Sequence, residues 1–209
     1  MNSIKKKYRE ILRYSLNKHN REKLYNKNIS LFCNNCTGGG IYHDLGLQFL
    51  SPTINLYFSA GDYVTFLERL DYFLEADLTQ IYIDEHFPVG KLGNELTLNF
   101  VHYKTFEQAK EKWLTRCKRI NKDNMFFILI DRDGCTIEIA KRFDSLPFKN
   151  KVILTYREMP DISCAFVKPE WEDCGKTRVL TEYLSKFSGK RYIDAFDYVS
   201  FLNGEDAKK

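Results

Sequence analysis

The chain has 209 residues, with 32 Lys plus Arg against 28 Asp plus Glu for a net charge of +4, and is 44% hydrophobic and 15% aromatic. That length suits one domain, or one domain with an appendage, and a core that needs neither disulfides nor metal. The composition excludes a disordered or collagen-like chain. The longest clean apolar run, Met125 to Ile130, excludes a membrane span, which takes about 18 residues or more.

The first 28 residues form a basic helical segment. They carry Lys5, Lys6, Lys7, Arg9, Arg13, Lys18, Arg21, Lys23 and Lys27 against Glu10 and Glu22, a net +7 that leaves the remainder at −3. No apolar stretch follows these lysines as in a secretory signal. The mildly acidic body argues against a nucleic-acid partner. Ile4, Tyr8, Ile11 and Leu12 recur at helical spacing. They would pack the helix onto the domain, or else lay residues 1–28 on anionic lipid. The six cysteines (33, 36, 117, 135, 164 and 174) are scattered, as expected of reduced thiols in a cytoplasmic protein. Cys33 and Cys36 are the close pair, but beside His43 they lack a fourth zinc ligand.

Residues 29–209 read as a single α/β domain. Ile29 to Cys33 is a short strand, followed by a loop, Asn34 to Gly40, that ends in three glycines. Ile41 to Leu47 and Ile54 to Phe58 are apolar runs. Asp62 to Ala76 is an amphipathic helix with Tyr63, Phe66, Leu67, Leu70, Phe73 and Leu74 on one face. Ile81 to Asp84 reads as a strand, and the alternation of Leu96, Leu98 and Phe100 as another. Thr105 and Gln108 form a capping box before a helix with Phe106, Ala109, Trp113, Cys117 and Ile120 on one side. Met125 to Ile130 is a buried strand, Thr136 to Phe143 a short helix, Lys151 to Tyr156 a strand, and Ile162 to Val167 one more. Tyr192 to Leu202 is helical or mixed. The strand–helix–strand–helix–strand order between 96 and 156 predicts a three-layer, Rossmann-like α/β/α domain on a mainly parallel sheet, with a mixed sheet as the variant.

Ligands of open parallel sheets bind beyond the carboxyl ends of the strands. The residues placed there are Asn34 to Gly40, His102 to Lys104, Asp131 to Gly134, and Arg157 with Glu158. Gly38, Gly39 and Gly40 would admit a phosphate to backbone amides, above all if a helix starts there. Asn34 and Asn35 would orient a sugar or carbonyl, or satisfy the turn itself. His43, Ser51 and Arg132 complete the substrate-binding candidates. Asp131 and Asp133, one residue apart after an apolar strand, would grip a divalent cation, Mg²⁺ or Mn²⁺. The same Asp-x-Asp-Gly pattern also fits an Asx turn capping the next helix. Nucleotide-sugar glycosyltransferases use a similar Asp-x-Asp. Phosphatases of the haloacid dehalogenase type are disfavoured, because Cys135 interrupts their motif. His102, on the side of Leu98 and Phe100, is the candidate general base. Cys33 or Cys36 would supply a nucleophile, but no spacing fixes a histidine partner.

Several blocks taken together resemble a known family. They are Asn34-Asn35-Cys36-Thr37-Gly38-Gly39, Leu45-Gly46-Leu47, Ser51-Pro52-Thr53-Ile54, Phe87 to Leu92, Phe100 to Tyr103, Lys112-Trp113, Arg119-Ile120-Asn121, Asp131 to Gly134, Phe143 to Val152, Gly189 to Tyr192 and Phe196 to Val199. The resemblance is to a bacterial domain of unknown function whose members are labelled exopolysaccharide or capsular polysaccharide biosynthesis proteins. It spans most of residues 28–203 and implies an α/β fold and a setting in glycan assembly. It carries over no catalytic residues. The function expected is a transferase of a sugar, acyl or phosphoryl group on a sugar or nucleotide-sugar substrate. The alternative is a non-enzymatic scaffold of the assembly machinery. A concave pocket at the strand ends favours the first, and a flat apolar patch the second.

Overall fold

A computed structural model describes residues 3–82 and 86–205. Helix α1 (Ser3–Lys23) leads into strand β1 (Ser30–Cys33) and helix α2 (Thr37–Leu45). Helices α3 (Ala60–Glu68) and α4 (Leu70–Glu75) precede strands β2 (Leu78–Ile81), β3 (Val89–Leu92) and β4 (Leu96–Asn99). Then come α5 (Phe106–Cys117), β5 (Met125–Ile130), α6 (Ile137–Ser145), β6 (Lys151–Thr155) and β7 (Ala165–Val167). A two-residue hairpin, β8 (Glu172–Asp173) with β9 (Lys176–Thr177), a 3₁₀ turn at Tyr192–Ala195 and α7 (Tyr198–Leu202) complete the described chain.

The central sheet is parallel throughout, in the order β1-β5-β6-β7. β1, β5 and β6 are buried on both faces, so they read as continuous apolar runs, while the edge strand β7 is half-buried. Phe32, Phe127, Leu129 and Ile153 enter one core with Phe66, Phe73, Trp113 and Phe143 from the helices between β1 and β6. Leu31, Cys33, Phe126, Ile128, Ile130 and Leu154 enter a second core with Tyr42 from α2 and Trp171, Ile193 and Leu202 from the C-terminal segment.

Two expectations need correction. The strand at 96–99 is not in the parallel sheet. It closes an antiparallel sheet of β2, β3 and β4. Gly93 and Asn94 are both left-handed, at φ 59° and 62°, and turn β3 back onto β4 as a hairpin that takes up β4's hydrogen bonds locally. β1 is the strand that joins β5 instead. The single helix expected at 62–76 is two, broken at Arg69 (φ −126°, ψ 40°). Phe66 and Phe73, on either side of the break, enter one core with their ring centres 6.2 Å apart. Of the strand expected at 81–84, Ile81 ends β2, while Ile83 and Asp84 lie outside the described residues.

β1 is an edge strand, and side chains stand in for its missing neighbour. Leu31 N–H donates to Tyr42 Oη (2.8 Å), whose hydroxyl donates to the Ile29 carbonyl (3.0 Å). Cys33 N–H donates to Thr53 Oγ1 (3.1 Å).

α1 is fastened by charge, against the expectation of an apolar stripe. Tyr8 is 52% and Ile11 60% exposed, while Arg13 is 4% exposed. The Arg13 guanidinium reaches Asp44 on α2 and Asp194 in the 3₁₀ turn, both at 2.5 Å. Arg191 also donates to Asp44 (2.9 Å), as does Asn17 (3.0 Å). Burial acts to lower the basicity of Arg13, but the two carboxylates outweigh it and hold the guanidinium charged. Gly189 lets the C-terminal segment meet the helix backbone: a Cβ there would stand 2.6 Å from Leu12 Cβ and 2.8 Å from Arg13 N.

Asp44→Ala should cost about 3–5 kcal/mol, because it strands buried guanidinium charge, and chemical denaturation would measure it. A second stability effect is set by pH. Asp144, at the end of α6, accepts from Ser163 N, Ser163 Oγ and Cys164 N at 2.9–3.0 Å. Partial burial works to raise its pKa, but these hydrogen bonds prevail and hold it at about 2 against an ordinary 3.8. Its contribution should be complete above the unfolded value and be lost as pH falls toward about 2. The stability gap between wild type and Asp144→Asn should therefore shrink as pH falls from 4 to 2.

Candidate functional site

The carboxyl ends of β1, β5 and β6 lie side by side, and a cleft of about 280 Å³ opens beside the first two. Its walls are Asn35, Cys36 and Thr37 at the start of α2, Tyr57, Arg132 and Asp133 after β5, and Arg178 to Thr181 from the C-terminal segment.

The expected glycine loop is the first turn of α2. Asn35 Oδ1 accepts from Thr37 N–H (3.0 Å), an Asx turn that starts the helix. Two of the glycines are there for packing. A Cβ on Gly38 would lie 2.7 Å from Cys33 Cβ, and one on Gly40 would lie 3.2 Å from Thr181 Cγ2. α2 therefore sits against the end of β1 and under the 178–181 segment, with its N-terminus at the cleft. Gly39 is buried behind it, in ordinary contact with Ile54 and Asn55.

Asn34 is buried and bonded at both ends of its amide. Its Nδ2 donates to the Ile130 carbonyl (3.2 Å), and its Oδ1 accepts from Ile130 N–H (2.8 Å). It extends the β1–β5 ladder by one side chain and takes no part in the cleft. Ser51 is also buried, its hydroxyl 3.0 Å from that of Thr53, which holds the edge of β1. His43 is exposed in the last turn of α2, the end away from the cleft. His102 is exposed too. β4 stops at Asn99 and the chain turns, Tyr103 N–H donating to the Phe100 carbonyl, so the alternation through Leu98 and Phe100 does not reach it. It follows the antiparallel sheet and does not line the cleft.

The two aspartates separate. Asp131 is 2% exposed, and both its oxygens accept from Arg157, Nε to Oδ2 and Nη2 to Oδ1, each at 2.8 Å. Thr155 Oγ1 donates to Oδ2 as well (2.7 Å), and Arg157 also holds the Cys135 carbonyl (3.1 Å). The hydrogen bonds that Arg157 donates to Asp131 raise its basicity. Asp133 is left-handed (φ 56°) and turns to the cleft beside Arg132, whose Nε lies 3.5 Å from its Oδ1. Its carbonyl accepts from Ala60 N–H at the start of α3. These donors do not fit a Mg²⁺ or Mn²⁺ held by both carboxylates. A cation would have to displace the bidentate Arg157, and among the described residues no group of three His, Cys, Asp or Glu is placed to hold a metal.

Neither thiol is poised as a nucleophile. Burial pushes Cys33 up to about 12, although the Asn35 and Gly38 amides act the other way. Burial, with Asp133 nearby, pushes Cys36 up to about 11. The charged residues of the cleft wall are Arg132, Arg178 and Asp133, set among the apolar surface of Tyr57, Val179 and Leu180. Arg132 also donates to the Thr177 carbonyl (3.3 Å). Arg178 donates to the Glu172 carbonyl (2.8 Å) and lies over the Tyr192 ring (4.3 Å), with its Nε buried and unpartnered.

Residues 7–203 match the family model described as Domain of unknown function (DUF1919). The chain belongs to this family. An uncharacterized protein of Haemophilus influenzae is 38% identical over 191 residues, covering 91% of this chain and 92% of its own length. The DUF1919 match takes in α1 from Lys7 and ends at Asn203, just past α7, so the basic helix and the C-terminal segment both fall within it.

In this DUF1919 domain, Tyr57 and Arg178 to Thr181 are cleft residues that sequence reasoning missed. They stand in no motif and reach the cleft from segments that end no parallel strand. Asn34→Ala should leave the Ile130 N–H buried and unpaired, while the Ile130 carbonyl keeps the Arg132 N–H (2.8 Å), at a cost of about 1–3 kcal/mol. Urea denaturation with an unchanged m-value would register it. A loss below about 0.5 kcal/mol, the scale of an ordinary surface substitution, would show that the bracket is dispensable.

Proposed function

We propose that the protein is a transferase of bacterial exopolysaccharide or capsule biosynthesis. It acts in the cytoplasm on a sugar or nucleotide-sugar substrate and transfers a sugar, acyl or phosphoryl group. The observation that carries this reading is the cleft at the carboxyl edge of the parallel sheet, whose lining includes the first residues of α2 together with Arg132 and Arg178. A helix start and two arginines in one cleft wall suit a phosphate or diphosphate. The polysaccharide-biosynthesis label of the family that the sequence resembles supports the same class. A Rossmann-like, three-layer arrangement around the parallel sheet belongs to this reading, since such folds take nucleotides at this edge.

Each group has a role. Arg132 and Arg178 hold the anionic part of the donor. Asp133, the carboxylate in the cleft wall, takes the proton of the acceptor hydroxyl. Asp131, through Arg157 and Thr155, fixes the loop that carries Arg132 and Asp133. The substrate brings its own counter-cation if one is needed.

A thermal-shift screen tests the reading, with nucleotide sugars, nucleotides and acyl-CoAs, each with and without Mg²⁺. A ligand at 100 times its Kd should add about 2.7 kcal/mol of stability. Arg178→Ala should remove the shift, read against the free variant's own melting temperature, which is lowered by the lost Glu172 and Tyr192 contacts. Asp133→Asn should keep the shift and abolish polysaccharide output. Silence across the panel, or an undiminished shift in Arg178→Ala, would defeat the proposal in favour of a scaffold role.

A further inference from the structure

We infer that the outer face of α1, with the segment at 184–190, is a docking surface for an anionic lipid bilayer. The inference is independent of the transferase reading. α1 is 21 residues, about 30 Å long, and its polarity is inverted. A helix on a globular domain ordinarily turns its apolar stripe inward. Here Arg13 and Asn17 are buried against Asp44, and Asn20 donates to Tyr198 Oη (2.8 Å). The polar bonds of the helix are consumed on the inside, and Tyr8, Ile11 and Tyr14 are left on the outside, with Leu12 and Leu16 half-buried.

The outer face is continuous. Ile11 and Tyr14 are 60% and 67% exposed, and Tyr8 is next to them. Lys7, Ile11, Tyr14 and Lys18 follow at steps of four, three and four, so lysines stand at both ends of the apolar run. Beside it, Leu12 and Leu16 floor a groove of about 760 Å³ whose far wall holds Phe187 and Lys190. Phe187 is 60% and Leu184 47% exposed, and Lys186 is exposed between them. The exposed acids of the helix are Glu10, ion-paired with Lys6 at 3.9 Å, and Glu22.

Charge selects the occupant. A second copy laid on this face would set Lys7, Lys18, Lys186 and Lys190 against their own kind. An anionic headgroup layer would meet all four, while Tyr8 and Tyr14 suit the boundary between headgroups and acyl chains. Among the described residues no helix is long and apolar enough to cross a membrane, so the contact is one of lying on the surface.

Co-sedimentation of the full chain with vesicles tests this, using phosphatidylcholine alone and phosphatidylcholine mixed with phosphatidylglycerol. Binding to the mixed vesicles only is expected, falling as salt is raised. Lys7→Gln with Lys18→Gln should weaken it about 30-fold. Ile11→Ser with Phe187→Ser should weaken it at least about 10-fold, through lost apolar burial. Both variants alter exposed side chains, and unchanged melting curves would confirm that they fold. Equal binding to phosphatidylcholine alone, or no vesicle binding, would overturn the inference. So would a concentration-dependent dimer that Ile11→Ser dissolves, which would give the face to a second copy.

Discussion

One buried guanidinium ties three distant parts of the chain together. Arg13 lies between Asp44 and Asp194, so α1, α2 and the C-terminal 3₁₀ turn are held at a common point. Two carboxylates with a single arginine would be an uncompensated buried charge, and Arg191 on Asp44 supplies the balance. Because α2 is clamped near its C-terminal end, its N-terminus is aimed at the cleft between β1 and β5. Because α1 is clamped by its polar side, its apolar side is turned outward. The geometry of the cleft and the exposure of the helix thus follow from the same compensation of charge.

The carboxyl edge of the parallel sheet shows how a polar motif divides between structure and ligand. Of the four residues Asp131 to Gly134, the first is spent on Arg157 and Thr155, and the last two take left-handed conformations that end the turn. Only Arg132 and Asp133 face the cleft. Burying a carboxylate is costly unless it is matched in charge and hydrogen bonds, and Arg157 does both. The cleft that results is cationic with one acid, a composition suited to holding an anion and moving a proton.

Much of this was legible in the sequence. The strands at 30–33, 125–130 and 151–155 announce themselves as apolar runs, and Thr105 does cap α5, its hydroxyl accepting from Gln108 N–H. The parallel sheet and the place of the cleft follow from those strands. The alternation at Leu96–Phe100 marks a strand, β4, but periodicity carries no information about its neighbours. Gly93 and Asn94 decided that, by making the hairpin closer than the crossover. His102 fell with it. Asn34 and Asp131 were recognised as special, yet no pattern distinguishes a side chain that binds a ligand from one that brackets a strand. That distinction depends on Ile130 and Arg157, which are close only after folding. The polar inner face of α1 was hidden for the same reason, because Arg13 looks like any surface arginine until Asp44 and Asp194 surround it.

The hydroxyls of Tyr42 and Thr53 have a consequence for how the molecule behaves in company. A parallel sheet that ends in an open strand offers its unpaired amides to any passing extended segment, including the same segment of another molecule. On β1 the amides of Leu31 and Cys33 are already spoken for by groups that cannot propagate a ladder. The sheet stops growing at β1 by chemistry, with no covering strand required, and two oxygen atoms keep this edge from pairing with another molecule.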